Sequence, residues 1–432
     1  MTPLAPPADA ACAGCPPAAE GGGFSRRRLL QGAGVLAATA AASSLLPARY
    51  AFAADPAAAA GDVLVVLSLR GGFDGLSAVV PAGDPAYPAL RPSIGVPAST
   101  LLPLDVTFGL HPALTPLKPL WDAGTLAIVQ AMGAPDPTRS HFDALREMER
   151  AAPGSSAAGG WLGRWLAASG ATETFAGVQR GSSLPLSLSG PTPAIAMESP
   201  KDFGLSVWEG IRTEFATALG GLQAGLTHPL AAAATTTLSA AATMARVAAT
   251  PYVPAAGATY DADGVGVALR DVAQLVKAGV GLRVACLDVG DWDMHKGLGR
   301  VDSGWMHDQL TRLGRGLAAF AADTGLAGVT VVTLTEFGRR AGENGSGGVD
   351  HGHGTCSFVL GGGIRGGRVY GRWPGLGAAA LDQGDLAGTT DYRTVLRELL
   401  ADRCGAGSSA LDAAFPGFSG AAATPLDLAR LR

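Results

Sequence analysis

Residues 63–69 of this chain read VLVVLSL, and residues 70–75 read RGGFDG. A short run of almost uninterrupted apolar residues, several of them β-branched, is typical of a strand buried on both faces. The glycines that follow predict a turn. Polar residues just past such a strand lie where open α/β sheets bind ligands, so Asp74 is the first candidate site residue. Alone, Asp74 would equally fit an Asx turn that stabilises its own backbone.

The same signal predicts further buried strands along the chain. Short apolar runs occur at residues 126–132, 282–289, 329–334 and 358–360. Capping residues and helical spacing predict helices at residues 141–150, 161–168 and 305–322. Strands that alternate with helices predict a layered α/β fold with a largely parallel central sheet.

Two other stretches complete the predicted domain. Residues 184–188 favour an edge strand, because Pro185 cannot donate a ladder hydrogen bond. Residues 201–276 are Ala-rich with helical spacing and a break at residues 251–257, which predicts two or three helices that cover the sheet. We expect residues 54–432 to form a single domain.

The composition limits the class of protein. Hydrophobic residues make up 47% of the 432 residues and charged residues 16%, as in a globular chain rather than a disordered one. The formal net charge is -4, and no basic stripe is present to replace counterions around phosphates. We therefore expect no nucleic-acid partner.

The N-terminal region predicts export. Residues 25–30 read SRRRLL, a twin-arginine pattern, and the apolar stretch 32–46 follows it. Residues 51–53 read AFA and offer small residues for cleavage, so we predict a signal peptide over residues 1–53. The apolar stretch is shorter than the ~20 residues of a spanning helix, which argues against a permanent membrane anchor. The expected partner during export is the twin-arginine translocase, and the expected location is the periplasm or the extracellular space.

A carboxylate- and histidine-rich segment directly follows the run at 282–289. Residues 291–295 read DWDMH. Alternate residues of an extended segment share a face, so Asp291, Asp293 and His295 could point the same way. The alternative is a surface loop with ordinary charges. The position at a strand exit favours a metal site.

A second histidine segment lies in a glycine-rich loop. Residues 350–354 read DHGHG, and glycines let the backbone approach a ligand closely. Asp350, His351 and His353 are therefore candidate metal ligands. The alternative is a loop that contains two imidazoles by chance.

The remaining candidates follow the other two strand ends. Glu336, directly after the run at 329–334, could be a metal ligand or the partner of Arg339 or Arg340 in a salt bridge. Ser140 could cap the helix at 141–150, where free N–H groups favour anions. A hydroxyl placed beside a metal can also act as a nucleophile. His141 could be a ligand or a hydrogen-bonding neighbour.

Together these motifs resemble one known family, the exported bacterial proteins catalogued as domain of unknown function 1501. The resemblance extends from about residue 62 to about residue 400. The motifs that carry it are LRGGFDGL at 69–76, RSHF at 139–142, DWDMH at 291–295, TEFGR at 335–339, DHGH at 350–353 and TDYR at 390–393. That family is placed in the alkaline phosphatase and sulfatase superfamily. The resemblance therefore implies an alkaline phosphatase-like three-layer α/β/α sandwich.

The resemblance also implies roles for residues of the first metal site and for the nucleophile. Ser140 resembles the nucleophile at a helix start. Asp291 and His295 stand in the D-x-x-x-H pattern of one metal, and His351 or His353 would supply the last ligand of that metal.

The second metal site departs from the superfamily pattern. Asp74 resembles the Asp after the first strand, and Glu336 stands where an Asp of the second metal is expected. The next superfamily residue is His, whereas this chain has Phe337, which cannot ligate. His141 could complete the second site. Arg139 or Arg339 could clamp an anionic oxygen.

These expectations define two functions. The first is an exported hydrolase of phosphate or sulfate esters that uses one or two divalent ions and a serine nucleophile on a small anionic substrate. Carboxylate and imidazole ligands together suit Zn, Mn or Fe better than Ca or Mg. The second is a non-catalytic exported binding or surface-associated protein that retains the fold.

Overall fold

The computed structural model describes residues 61–136, 138–204, 212–223, 229–262, 264–418 and 424–431. The predicted signal peptide, residues 1–53, and the expected start of the mature chain at residue 54 lie outside the described residues. None of the described helices is long and apolar enough to cross a membrane.

The strands and helices alternate along the described part of the chain. The strands are β1 Val63–Leu69, β2 Val79–Val80, β3 Leu102–Pro103, β4 Gly109–Leu110, β5 Leu126–Gly133, β6 Gly177–Arg180, β7 Ala194–Met197, β8 Val284–Val289, β9 Val329–Leu334, β10 Thr355–Gly361, β11 Arg368–Tyr370 and β12 Thr390–Asp391. The α-helices are α1 Gly75–Ala78, α2 Tyr87–Leu90, α3 Lys118–Asp122, α4 His141–Arg150, α5 Trp161–Ala168, α6 Arg212–Gln223, α7 Pro229–Ala249, α8 Gly264–Ala278, α9 Trp305–Thr324, α10 Tyr392–Asp402 and α11 Ser408–Ala414. Short 3-10 helices span Ala98–Thr100, Pro112–Leu117 and Leu186–Leu188.

A nine-stranded sheet organises the described residues. Its order is β11-β5-β10-β9-β1-β8-β6-β7, with β12 beside β5. Strand β10 runs antiparallel to β5 and β9, and the other described pairings in this sheet are parallel. The prediction of a mixed α/β fold with a largely parallel central sheet is confirmed. A second, three-stranded sheet has the order β2-β4-β3 and is antiparallel.

Strand β1 separates two hydrophobic clusters. Val65 and Leu67 belong to one cluster, which also contains residues of α8 and α9. Leu64 and Val66 belong to the other cluster, with residues of α5 and α10. Alternate residues of a strand point to opposite faces, so the continuous apolar run of β1 is explained by burial on both sides. Each fully buried Val or Leu stabilises the fold by roughly 1.5–3 kcal/mol.

The predicted strands at 63–69, 126–132, 282–289, 329–334 and 358–360 are confirmed as members of the large sheet. The predicted helices at 141–150, 161–168 and 305–322 are also confirmed. The edge strand predicted at 184–188 is wrong, because Leu186–Leu188 forms a 3-10 turn. In the Ala-rich stretch 201–276, the described residues form α6, α7 and most of α8.

A buried carboxylate fastens the loop after α7 to α9. Asp323 accepts hydrogen bonds from Tyr252 Oη at 2.6 Å, Tyr260 Oη at 2.8 Å and the Ala255 N–H at 2.7 Å. Lys277 pairs with the same carboxylate, whose side chain is fully buried. Burial by itself would raise the pKa of Asp323, but the hydrogen bonds from Lys277, the two tyrosines and Ala255 outweigh burial and lower it.

Because the folded-state pKa of Asp323 is depressed, its contribution to stability is present above the unfolded pKa of about 3.9 and is lost as pH falls through the folded value. We expect Asp323→Asn to lower the free energy of unfolding by about 3 kcal/mol at neutral pH. The difference in the free energy of unfolding between Asp323→Asn and the natural protein should become smaller below about pH 4. Denaturant unfolding across pH measures this difference, with Asp302→Asn in an exposed ion pair as the matched control. A difference that stays constant down to acid pH would contradict the assignment.

Candidate metal centre

Three neighbouring parallel strands bring the candidate residues to one edge of the sheet. Strands β8, β1 and β9 are adjacent, so their carboxyl ends meet. The turn at 70–75 follows β1, the segment 291–295 follows β8, and Glu336 follows β9. Residues 338–341 then pair with the histidine loop, through Gly352 N–H to Gly338 O at 2.9 Å and Arg340 N–H to Asp350 O at 2.9 Å.

Two glycines of the turn after β1 make room for the site. Gly71 has φ 115° and Gly72 has φ 73°, in the left-handed region that favours glycine. A Cβ at Gly72 would lie 2.8 Å from the Phe337 ring and 2.9 Å from Arg339 Nε, and a Cβ at Gly71 would lie 2.6 Å from Asp293 N. Any side chain at either position would therefore displace residues of the site.

Three imidazoles converge on one carboxylate. His351 Nε2 lies 2.9 Å from His141 Nε2 and 2.9 Å from His295 Nε2. Asp293 Oδ1 is 2.9 Å from His295 Nε2, 3.3 Å from His351 Nε2 and 3.6 Å from His141 Nε2. One ligand atom each from His141, Asp293 and His351 lies within 4.8 Å of the others, so these residues could hold a metal ion. His295 Nε2 lies beside this set, 2.9 Å from both Asp293 Oδ1 and His351 Nε2.

The other nitrogen of each ring faces a hydrogen-bond acceptor. His141 Nδ1 is 2.8 Å from Glu336 Oε1, His295 Nδ1 is 2.8 Å from Asp350 Oδ1, and His351 Nδ1 is 2.8 Å from the Arg139 carbonyl oxygen. These partners assign the proton of each neutral ring to Nδ1. Each Nε2 then presents a lone pair toward Asp293. This arrangement, with an acceptor behind each ligating imidazole, is typical of metal-binding histidines.

Arg339 positions the central carboxylate. Its side chain is fully buried, and Nη2 donates to Asp293 Oδ1 at 2.6 Å. Nε donates to Gly72 O at 2.7 Å, Nη1 donates to Val349 O at 3.0 Å, and Nη2 also contacts Gly71 O. The guanidinium is therefore committed to the protein, and it does not lie at the surface as an anion clamp would.

The surroundings lower the pKa values of three groups of the cluster, for different reasons. Burial would raise the pKa of Asp293, but the hydrogen bond and charge of Arg339 outweigh burial and lower it. Hydrogen bonds from His295 and Asn344 lower the pKa of Asp350. Burial lowers the pKa of His351, and the charge of Arg339 acts in the same direction. Both carboxylates are therefore ionised and His351 is neutral near pH 7.

Phe337 forms the apolar back of the cluster. Its side chain is buried, and its ring centroid lies 4.8 Å from that of His141 and 4.9 Å from that of His351. Phe337 cannot bind a metal ion, but its ring packs against the imidazoles of His141 and His351 and restricts their orientation.

The other candidate residues lie in different surroundings. Asp74 is buried in a bidentate pair with Arg91, at 2.6 Å and 2.9 Å. Asp291 is exposed and has φ 67°, which interrupts the extended backbone that would place it beside Asp293. His353 Nε2 lies 2.8 Å from Ala134 O, and its Nδ1 lies 3.2 Å from an Asp382 carboxylate oxygen.

Ser140 and Arg139 lie at the start of α4. Ser140 Oγ accepts a long hydrogen bond of 3.4 Å from the Asp143 N–H, as an N-cap does. Arg139 lines an open depression of about 410 Å³ above the cluster, together with His295, Arg340, Asp350 and His351.

Sequence reasoning missed two residues near this depression. Arg340 had been considered only as a salt-bridge partner of Glu336, yet it lines the depression and pairs with the buried Asp385. Successive side chains of an extended segment point to opposite faces. If Arg339 points into the protein, Arg340 therefore points outward, and this alternation along residues 338–341 was the available signal. Asp385 lies in a turn with no periodic pattern, and it contacts Arg139 across a separation of 246 residues.

A largely parallel α/β sheet with a histidine–carboxylate cluster at the ends of its strands defines an α/β protein with a candidate metal site. Residues 127–399 match the family model described as "Protein of unknown function (DUF1501)", and the chain belongs to that family. The matched region contains all four residues of the cluster. No curated protein matches the chain.

The two aspartates of the segment 291–295 offer a matched pair of variants. We expect Asp293→Asn to lose most of the bound metal, because it removes the central ligand, and Asp291→Asn to retain it. Asn tolerates the left-handed backbone of residue 291 well. Elemental analysis of the purified proteins measures metal per chain, and thermal unfolding checks that both fold. Equal metal content in the two variants would remove Asp293 from the site. We expect a similar contrast between two histidine variants: His351→Ala should lose most of the bound metal, and His353→Ala should retain it.

The acceptors behind the rings should tune metal affinity without binding metal. We expect Glu336→Gln and Asp350→Asn to weaken binding about 10–100-fold, because each replaces the carboxylate that orients an imidazole. Competition with a chromophoric chelator measures the affinity. Asp382→Asn, beside His353, is the control and should leave affinity unchanged. If Glu336→Gln and Asp350→Asn both bind metal as tightly as the natural protein does, these contacts do not orient metal ligands.

Proposed function

We propose that this protein is a metal-dependent hydrolase of phosphate or sulfate esters with one divalent ion held by His141, Asp293, His295 and His351. The observation that carries the proposal is the convergence of three Nε2 lone pairs on an ionised carboxylate. With the ring protons on Nδ1, the Nε2 lone pairs that face one another at 2.9 Å repel unless a proton or a metal ion lies between them.

The donor set favours particular metals. Three imidazole nitrogens and one carboxylate oxygen suit Zn, Mn or Fe, whereas Ca and Mg prefer sets made of oxygen alone. Such an ion supplies Lewis-acid chemistry at an ester oxygen. We propose one ion rather than two. Asp74 is paired with Arg91, and Glu336 is hydrogen bonded to His141 and the Gly71 N–H.

Ser140 is the proposed nucleophile. Along the chain Ser140 directly follows Arg139, which lines the depression, and precedes His141, which belongs to the cluster. In this proposal Ser140 Oγ bonds to phosphorus or sulfur while the bond to the ester oxygen breaks, and that oxygen takes up the proton that the Ser140 hydroxyl loses and leaves as the alcohol. Water then cleaves the seryl ester and restores the hydroxyl. The hydrolysis is complete without any further reactant.

We also propose that the fold is an alkaline phosphatase-like three-layer sandwich. Helices packed against both clusters of the sheet and the order of the site segments along the chain support this assignment. The SRRRLL motif at 25–30 supports export through the twin-arginine translocase to the periplasm or the extracellular space. That route carries folded proteins and is compatible with metal binding before export.

A second candidate function is binding without catalysis. Two observations favour it: Ser140 Oγ already caps a helix, and Phe337 occupies a position where the superfamily has a metal ligand. In that case the metal site would recognise a ligand or partner outside the cell.

Hydrolysis of aryl phosphate and aryl sulfate esters by the metal-loaded protein tests the proposal. We expect Ser140→Asn to lower turnover about a thousandfold or more while metal content is retained, since Asn lacks the hydroxyl but still caps the helix. Ser140→Thr keeps both hydroxyl and cap and should retain measurable activity.

The outcomes separate the alternatives. Turnover that survives in Ser140→Asn but disappears in Asp293→Asn would identify a metal-dependent enzyme with a different nucleophile. Bound metal without turnover on any ester of the panel would support the binding protein. Absence of metal from the natural protein, after purification with added Zn, Mn or Fe, would overturn both assignments.

A further inference from the structure

Asn344 lies where two segments of the candidate metal centre meet. It is the single asparagine among the 432 residues of the chain. The backbone that follows it runs beside the segment that carries His295, since the Val349 N–H donates to Met294 O at 3.0 Å. It then enters the histidine loop 350–354. A side chain at this junction can contact both segments at once.

The amide oxygen of Asn344 closes a local turn. Oδ1 accepts hydrogen bonds from the Ser346 N–H at 2.9 Å and from the Gly348 N–H at 3.1 Å. The backbone N–H of Asn344 donates to Gly348 O at 2.9 Å. Asn and Asp side chains both stabilise turns of this kind, because either offers an oxygen acceptor. The turn by itself therefore does not require an amide.

The amide nitrogen of Asn344 contacts the metal centre. Nδ2 donates to His295 O at 2.8 Å and to Asp350 Oδ1 at 3.0 Å. The surroundings admit one orientation of the amide, because two N–H groups face its oxygen and two acceptors face its nitrogen. A carboxylate cannot donate to either acceptor. These two donated hydrogen bonds are what distinguishes asparagine from aspartate at this position.

Asp350 depends on Asn344 for its placement. The Asp350 side chain is 50% exposed. Within the described residues, its carboxylate is hydrogen bonded only to His295 Nδ1, at 2.8 Å, and to Asn344 Nδ2, both through Oδ1. Because His295 is the ring that this carboxylate orients, Asn344 is the one described group that holds the carboxylate independently of that ring.

We propose that Asn344 is a positioning residue of the metal centre: its amide holds the Asp350 carboxylate, and Asp350 in turn orients His295 with Nε2 toward the ion. The inference rests on the proposed function, in which His295 is a metal ligand. Acceptors behind ligating imidazoles fix the tautomer and the orientation of the ring. An aspartate at 344 would preserve the turn but would set two carboxylates against each other, and like charges at that distance repel.

Exchange of the amide for a carboxylate tests the inference. Asn344→Asp keeps the shape of the side chain and the acceptor of the turn, and it removes both donors. At about pH 8, where the carboxylates are ionised, we expect Asn344→Asp to bind metal about tenfold more weakly. An added negative charge near a cation would alone tighten binding, so weaker binding identifies the lost donors as the cause. Competition with a chromophoric chelator measures the affinity.

Two further variants show whether Asn344 acts through Asp350. Combined with Asp350→Asn, the Asn344→Asp exchange should weaken binding little further, because the carboxylate that it displaces is already absent. Gln383→Glu is the matched control. Gln383 is exposed, and its carbonyl oxygen accepts a hydrogen bond from Arg340 at the edge of the depression. This control makes the same amide-to-carboxylate exchange and should not weaken binding.

The tautomer of His295 provides a readout that does not require metal. Two-bond 1H–15N correlation spectra show which ring nitrogen carries the proton. We expect His295 to carry it on Nδ1 in the natural protein and to show a mixture of both tautomers in Asn344→Asp, because the acceptor behind the ring is no longer held. Gln383→Glu should give the natural spectrum. A change that merely loosened the loop would leave the tautomer unaltered.

The outcomes separate the inference from the proposed function. Thermal unfolding verifies the fold of each variant. Should Asn344→Asp not fold, Asn344→Ser also lacks the amide nitrogen, keeps an oxygen for the turn and should have the same effects. Unchanged or tighter metal binding, or losses that multiply in the double variant, would reject the role of Asn344 and leave the hydrolase standing. A natural protein without metal, whose His295 tautomer still depends on Asn344, would uphold the positioning and reject the metal-dependent hydrolase.

Discussion

The buried guanidinium of Arg339 is the interaction on which the site depends. It holds the carbonyls of Gly71, Gly72 and Val349 and the carboxylate of Asp293, and so joins the exits of three strands to one planar cation. A lysine could not replace it, because one ammonium cannot reach several acceptors lying in different directions. Gly72 is required for the same reason, since a side chain there would meet the Arg339 guanidinium, whereas a side chain at Gly71 would meet the backbone of Asp293.

The fold was predictable where burial is strong on both faces of a strand. Val63–Leu69 is almost entirely apolar and Val329–Leu334 is buried along its whole length, because both strands lie between two hydrophobic clusters. The antiparallel direction of β10 was not predictable, since a short buried run has the same pattern in either direction. At 184–188 the proline is compatible with an edge strand and with a turn, and in the structure it precedes a 3-10 turn.

The candidate site was partly predictable from the same alternation. The period of two grouped Asp293 with His295, whose intervening Met294 is buried. The period of two does not hold at Asp291, because this residue has a left-handed backbone conformation. No local sequence pattern predicts that conformation. The partners of the imidazoles were beyond sequence reasoning, because His141 meets Glu336 across a separation of 195 residues and His351 meets the Arg139 carbonyl across 212. Such contacts depend on the assembled sheet.

Because of that long-range assembly, any ion that binds the cluster would be thermodynamically linked to folding. His141, Asp293 and His351 come from three distant parts of the chain, so the unfolded polypeptide contains no preformed chelate. Any ion that binds the assembled set selectively shifts the folding equilibrium, by about 2.7 kcal/mol at a free concentration one hundred times its dissociation constant. Supply of the proposed ion would then be one of the conditions that set which fraction of the chain is folded.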